Sequence, residues 1–295
     1  MSEHSSESVK PRVALMGEFS AGKSTLINML LSRAPLPVQI TATSVPPIWL
    51  SFGKDAAVCV NSDGEETPID LSSINEILLE ETQYVRVWLE SDLLEICDLI
   101  DMPGISDPNM STETWKSVFD KVDHVVWCTH ATQAWRQSEA ASWEEMKEHT
   151  TGENILAVTQ IDKITTSRDR TRLMSRLEKE AGAMFACVFP IAALEANEAK
   201  NEQVWHSSGA ADFATFLVEL TLKTRSKLEN EVKSKVNPEI QSKEAASDAE
   251  QRQLNESKIV PRRVPGSRSK RKSATPRNLQ HDEKNRGVTD MSNAG

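Results

Sequence analysis

Near the start of the chain, Gly17-Glu18-Phe19-Ser20-Ala21-Gly22-Lys23-Ser24 carries the pattern G-x-x-x-x-G-K-[ST]. The chemistry this spacing suits is phosphate capture. Its glycines let backbone N–H groups close around phosphate oxygens, and a helix beginning at the lysine turns the positive end of its dipole toward the anion. Lys23 adds a point charge for the β and γ phosphates, and Ser24 a hydroxyl ligand for Mg²⁺. A second segment, Asp101-Met-Pro-Gly104, follows an apolar run ending at Ile100. There Asp101 is placed to hold Mg²⁺ through water, and Gly104 to offer its N–H to a γ-phosphate. Asp-x-Pro-Gly is also a good turn sequence, so it gains meaning only beside the phosphate loop. A third segment, Thr159-Gln160-Ile-Asp162, follows the apolar run 155–158. Guanine presents N1–H and N2–H₂ donors, which an ionised carboxylate such as Asp162 accepts. That favours GTP over ATP as the substrate.

These segments need a scaffold, and the patterning around them supplies one. Residues 12–16 form a short apolar run that stops at Gly17, and Leu26, Ile27, Leu30 and Leu31 then recur at helical spacing: strand, glycine loop, helix. A stretch rich in Pro and Thr, 34–47, reads as an ordered functional loop. Further strands are expected at 48–52, 56–61, 84–90 and 94–100, with Asp63-Gly64 as a turn and 74–80 as a helical turn; 84–90 and 94–100 read as an antiparallel hairpin at a sheet edge. Beyond them, apolar runs at 122–128, 155–158 and 188–191 alternate with helical stretches at 112–121, 137–148, 168–185 and 211–227. Alternation of this kind implies a doubly wound α/β fold on a mostly parallel sheet.

Charge divides the chain unevenly. Up to Arg225 there are 19 Lys and Arg against 34 Asp and Glu, and after it 15 against 10. An acidic body is thus followed by a basic tail. The expected organisation is a disordered N-terminus at 1–10, a nucleotide-binding domain at 11–228, a charged helix or linker at 229–256 and a basic disordered tail at 257–295. Past residue 237 too few apolar residues remain to offset the entropy of ordering. Cys59, Cys97, Cys128 and Cys187 each sit in an apolar run, which reads as buried free thiols in a reducing compartment. No apolar run approaches the ~20 residues that cross a bilayer, and neither a signal peptide nor a lipidation signal is visible. The expectation is a cytoplasmic protein.

Taken together, Gly17-Glu-Phe-Ser-Ala-Gly-Lys-Ser-Thr-Leu-Ile-Asn28, the loop Leu36-Pro-Val-Gln-Ile-Thr41-Ala-Thr43-Ser44, Asp101-Met-Pro-Gly104 and Thr159-Gln-Ile-Asp162 resemble the GTPase domain of the dynamin superfamily, its bacterial dynamin-like branch best. The resemblance covers about residues 11–227. It implies a P-loop fold with an antiparallel edge hairpin, Mg²⁺ as cofactor, hydrolysis of GTP to GDP, and a dimer across the nucleotide face. Ser20 resembles the serine that helps organise the attacking water and a monovalent cation. Thr41 resembles the switch threonine that positions water, with Thr43 the competing candidate for that role and for the metal. Thr25, Lys163 and the pair Ala192-Ala193 complete the implied nucleotide contacts. Where the family pattern [NT]-K-x-D has lysine, this chain has Gln160, which loosens the expected hold on guanine. Ile105 stands where a Ras-like glutamine would orient water, so slow intrinsic turnover is expected. Dynamin relatives continue into long helical stalks, and here a helix or two and a polar tail follow.

Other features have plainer readings. The stretch 258–277 holds Lys258, Arg262, Arg263, Arg268, Lys270, Arg271, Lys272 and Arg277 with no acidic residue. It is either a solvated tail or an electrostatic tether to an anionic membrane, which would place the protein at a membrane periphery. Without interleaved aromatics it offers no platform for stacking bases, so no specific nucleic-acid partner is expected. Gln133, Trp135, Arg136 and Gln137 crowd a helix entrance on the ligand side of the sheet, as a partner contact or as a cap on the core. His124, Cys128 and His130 alternate along a strand without a second ligand pair, which argues against zinc. Two other classes share the phosphate loop: a nucleotide-dependent switch or scaffold with little turnover, and an Era-like ribosome-associated GTPase, which should bring an RNA-binding module.

Overall fold

Along Arg12–Met16 (β1) the side chains alternate between two cores: Val13 and Leu15 join one apolar cluster, Ala14 and Met16 the other, all fully buried. A strand apolar on both faces belongs at the centre of a sheet with helices on either side. The computed structural model, which describes residues 9–32, 46–77, 82–105, 121–150, 152–199 and 201–236, places it there. Its strands are β1, Ile48–Phe52 (β2), Ala56–Val60 (β3), Glu66–Ile69 (β4), Tyr84–Leu89 (β5), Asp98–Asp101 (β6), His124–His130 (β7), Ile155–Thr159 (β8) and Cys187–Ile191 (β9). They form one sheet in the order β4-β3-β5-β2-β6-β1-β7-β8-β9. From β6 to β9 neighbours run parallel; β2 is antiparallel to β6, and β3 is antiparallel to both β4 and β5.

The fold is therefore the expected mixed α/β sheet with an antiparallel edge hairpin, but the hairpin is a different one. β3 and β4 form it, around the turn at Gly64. The pairing expected between 84–90 and 94–100 does not occur, because β2 lies between β5 and β6. Residues Asp92–Ile96 are a short helix (α2), whose buried Leu94 packs inward, and the strand starts only at Asp98. A short apolar run suits either state, and here Asp92 and Glu95 in the first turn favour helix. Of the four thiols, all free, only Cys97 and Cys128 are buried, while Cys59 and Cys187 are partly exposed.

Around the sheet pack Lys23–Leu30 (α1), Gln137–Met146 (α3), Ser167–Glu180 (α4), Ala193–Asn197 (α5), Glu202–Ser207 (α6) and Ala210–Val236 (α7). α1, α2 and α7 cover one face. α3 and α4 cover the other through a cluster of rings: Trp127, Trp135, Trp143 and Phe185, with centroids 4.5–6.3 Å apart. α7 continues past the expected end at 227 to Val236. The helix expected at 112–121 lies almost wholly outside the described residues. Among those described, no helix is long and apolar enough to cross a membrane. The chain divides into two units, Met1–Pro238 and Glu239–Gly295, and the second, with the expected basic tail, lies outside the described residues.

Phe213 anchors α7: it is fully buried and meets Phe189 of β9 edge-on with ring centroids 5.7 Å apart. Phe213→Ala should cost about 3–5 kcal/mol through the cavity it leaves. Val232→Ala, on an exposed part of the same helix, should stay within about 0.5 kcal/mol. Urea denaturation of the two variants checks the contrast.

Candidate functional site

The carboxyl ends of β1, β6, β7 and β8 meet at one edge of the sheet, the place where open α/β sheets bind ligands. The phosphate loop lies there because β1 ends at Met16 and the chain turns at Gly17, whose φ is +139°. A Cβ on Gly17 would sit 2.1 Å from the carbonyl oxygen of Cys128, so only glycine allows the loop to lie this close to β7. α1 then starts at Lys23. Its N-cap, Gly22, has no side chain to cap the first-turn amides, which leaves them for an anion.

The loop carbonyls are tied elsewhere. Gly17 O accepts from Lys23 Nζ (3.1 Å) and Ile105 N (3.1 Å), and Glu18 O from Lys23 Nζ (2.9 Å) and Ala21 N (3.2 Å). Ser20 O accepts from Gln160 Nε2 (3.3 Å), Ala21 O from Thr159 Oγ1 (2.7 Å) and Gly22 O from Leu26 N (2.9 Å). An ammonium has three donors, and two of those on Lys23 hold the loop, so one remains.

Asp101, at the end of β6, accepts from Ser24 Oγ at 2.6 Å through Oδ2, while its Oδ1 is buried without a hydrogen-bond partner. A hydroxyl beside a carboxylate with a spare oxygen is the hard-oxygen donor set Mg²⁺ takes. Burial pushes the Asp101 carboxyl above its ordinary range, with Lys23 and the Ser24 hydrogen bond opposing; burial likewise pulls Lys23 below its ordinary range, opposed by Asp101, Cys128 and Glu18. The Cys128 thiol beneath the loop is pushed up to about 12 by burial and stays protonated. Gly104 lies against the loop: a Cβ there would come within 2.8 Å of Phe19 N.

β8 delivers the third segment. Thr159, 1% exposed, shares its hydroxyl proton between Ala21 O and Thr129 O (3.2 Å). Gln160 takes a left-handed backbone, φ 55°, and the single turn Ile161–Lys163 carries Asp162 and Lys163. Lys163 Nζ lies 3.4 Å from His130 Nε2. Ala192 and Ala193 follow β9, against which that turn packs; the Ala192 N–H is taken by Ser208 O (2.8 Å), leaving Ala193 as the freer amide of the pair. Thus Gly17 to Thr25, Asp101, Gly104, Thr159, Gln160, Asp162 and Lys163 gather at one edge of the sheet, with Ala192 and Ala193 alongside, just after β9. Thr41 and Thr43 lie outside the described residues.

Sequence reasoning missed a second layer. Glu18 is clamped by Arg136 (3.0 Å) and Ser138 Oγ (2.6 Å), both from the entrance to α3. Glu139, 2% exposed, accepts from Arg136 N (2.9 Å), Thr129 Oγ1 (3.0 Å) and Trp127 Nε1 (3.3 Å). A cleft of about 150 Å³ is lined by Glu18 to Ala21 together with His130, Gln133 and Arg136. Trp135 does not face a partner: it is 7% exposed and packs on Trp127 and Phe185. The sequence signalled this layer by the crowding of Gln133, Trp135, Arg136 and Gln137 at a helix entrance and by the Glu three residues after Arg136, a capping spacing.

The sheet order and this loop define a P-loop nucleoside triphosphatase fold of the GTPase type. A profile of the dynamin family matches residues 13–162, more than half of the chain, and the chain belongs to that family as a dynamin-type GTPase domain. It is 24% identical over 217 residues to Dynamin-like protein 2 of Campylobacter jejuni, covering 70% of this chain and 34% of that protein. Its fold is similar to two chains of an oligomerised bacterial dynamin pair described as providing a mechanism for the long-range sensing and tethering of membranes. One has a TM-score of 0.58 at 15% identity, covering 85% of this chain and 46% of its own. The other has 0.53 at 18%, covering 73% and 35%. The chain spans about a third of the length of that curated relative and less than half of these solved ones.

Thr159→Val removes one hydroxyl and leaves the Ala21 and Thr129 carbonyls without it. A loss of about 1–3 kcal/mol in unfolding free energy is expected, read by chemical denaturation.

Proposed function

We propose that this chain binds GTP with Mg²⁺ and hydrolyses it to GDP and phosphate. The observation that carries the reading is the buried Oδ1 of Asp101, without a partner among the described residues, beside Ser24 and beneath a loop whose carbonyls are held by Lys23, Gln160 and Thr159. In this reading the loop amides and the remaining donor of Lys23 bind the β and γ phosphates, and Gly104 meets the γ-phosphate through its N–H. Ser24 and Asp101 hold the metal, with Thr43 as a further ligand. Mg²⁺ would supply charge neutralisation at the phosphate oxygens. A cation beside Asp101 and an anion beside Lys23 each complement a charge that burial penalises.

Asp162 selects guanine, and Gln160 ties that turn to the phosphate loop through Ser20 O. Ser20 and Thr41, or Thr43 in its place, position the attacking water; with Ile105 where Ras-like enzymes carry glutamine, catalysis rests on positioning by backbone. The solved relatives, an oligomerised bacterial dynamin pair described as providing a mechanism for the sensing and tethering of membranes, support a further step. This chain acts as a dimer across its nucleotide face, or with a stalk-bearing partner, at the periphery of an anionic membrane reached through the basic stretch 258–277.

GTP should be hydrolysed in preference to ATP, and Lys23→Ala should abolish binding. Asp162→Asn should weaken GTP binding about tenfold or more without affecting ATP, since a hydrogen bond to a charged group is worth about 1.5–3 kcal/mol. Turnover per chain should rise with protein concentration and with anionic liposomes. Equal use of both purines would sink the guanine assignment, and a flat concentration and liposome dependence would sink the dimer and membrane steps.

A further inference from the structure

Glu139 occupies the third position of α3, where a glutamate closes a helix start by accepting the N-cap N–H, here Arg136 N at 2.9 Å. That task needs no burial, and such a residue ordinarily sits in solvent. Glu139 instead is 2% exposed, drawn in beneath β7, with Thr129 Oγ1 and Trp127 Nε1 as additional donors. Burying a carboxylate is costly, and burial pushes this one above its ordinary range; three donors offset that cost. Capping alone does not explain the expense.

What the carboxylate controls lies on both flanks of the phosphate loop. Through Thr129 it fixes the end of β7: Thr129 Oγ1 accepts from Trp135 N (2.9 Å), pinning a tryptophan in the left-handed region, φ 56°. A bulky residue there is strained and persists only where its surroundings over-determine it. The Thr129 carbonyl shares the Thr159 hydroxyl with Ala21 O, one side of the loop. Through Arg136 N it fixes the first turn of α3, from which the Arg136 side chain and Ser138 hold the Glu18 carboxylate, the other side of the loop. Two chains of hydrogen bonds thus leave one buried carboxylate and close on residues 18 and 21.

We propose that Glu139 is a positioning residue for the phosphate loop, setting the cradle through Thr129 on one side and the Arg136–Glu18 clamp on the other. The coupling rests on the proposed nucleotide reading only for its effect on GDP; its effect on the loop itself can be read without any ligand. Glu139→Gln keeps size and shape but replaces the charge-assisted bonds of both arms, which meet on Oε2, with weaker neutral ones, and turns an N–H₂ toward the N–H of Trp127 or of Arg136. Trp143→Phe is the comparison: Trp143 is 1% exposed on the same helix, packs on Trp127 and Phe185, and its Nε1 hydrogen-bonds to neither arm.

The test is amide hydrogen exchange of the full chain over residues 17–24, together with GDP affinity by calorimetry and the unfolding temperature. Glu139→Gln should speed exchange in the loop by about tenfold and weaken GDP about as much. Trp143→Phe should lower the unfolding temperature with loop exchange and GDP affinity as in the wild type. Loop exchange in Glu139→Gln no faster than in Trp143→Phe would overturn the proposal and leave Glu139 a structural residue. If Glu139→Gln does not fold, Arg136→Ala on the exposed clamp replaces it: faster loop exchange at an unchanged unfolding temperature supports the coupling, and unchanged exchange overturns it. A wild-type chain that takes up no GDP defeats the proposed function, and the exchange then decides the positioning role alone.

Discussion

A loop that turns its N–H groups inward to hold an anion must point its carbonyls outward, and each buried carbonyl then needs a donor of its own. That constraint organises the site. Gly17, Glu18, Ser20, Ala21 and Gly22 all have partners for their oxygens, and four of those five partnerships come from side chains or distant backbone: Lys23, Ile105, Gln160 and Thr159. The donors arrive from three different places in the sheet, the ends of β6 and β8 and the start of α1. The residues proposed as a nucleotide site are therefore also residues that hold the loop in shape.

This double use explains why charge is concentrated where it is costly. Lys23 and Asp101 are each 8% exposed, and burial disfavours the charged form of both. Each offsets part of the other's penalty, yet among the described residues one oxygen of Asp101 keeps no partner and one donor of Lys23 stays uncommitted. Structural economy alone would replace this arrangement by apolar side chains, since burying a charge is costly. Its retention fits a site that gains from meeting a metal and a polyphosphate. The aromatic packing of Trp127, Trp135, Trp143 and Phe185 stands behind the opposite wall and keeps the entrance of α3 from shifting.

How legible all this was depended on how local the interactions are. The phosphate loop was readable because its glycines, lysine and serine are contiguous and strand and helix flank them directly. Asp101 and Asp162 stood out as candidates because one ends a buried apolar strand and the other follows one by three residues. The stretch 94–100 misled because its apolar residues suit helix and strand alike, and only the sheet's preference for β2 as the neighbour of both β5 and β6 decided against a hairpin. β4 was missed because Glu66-Thr-Pro-Ile69 is exposed and polar, an edge strand without an apolar pattern. The capping spacing of Glu139 was visible but its burial was not, since that is set by the packing of α3 against β7 and not by its neighbours in sequence.

The central claim is that backbone amides with tethered carbonyls form a polyphosphate cradle with a guanine-reading carboxylate beside it. Calorimetric titration of the full chain with GDP, in magnesium and then in excess chelator, tests it most directly. The account predicts one GDP per chain, with tighter uptake of GTP than of GDP when magnesium is present and no comparable uptake of ADP. A titration without heat or displacement for any guanine nucleotide, by a chain that circular dichroism shows to be folded, would contradict it.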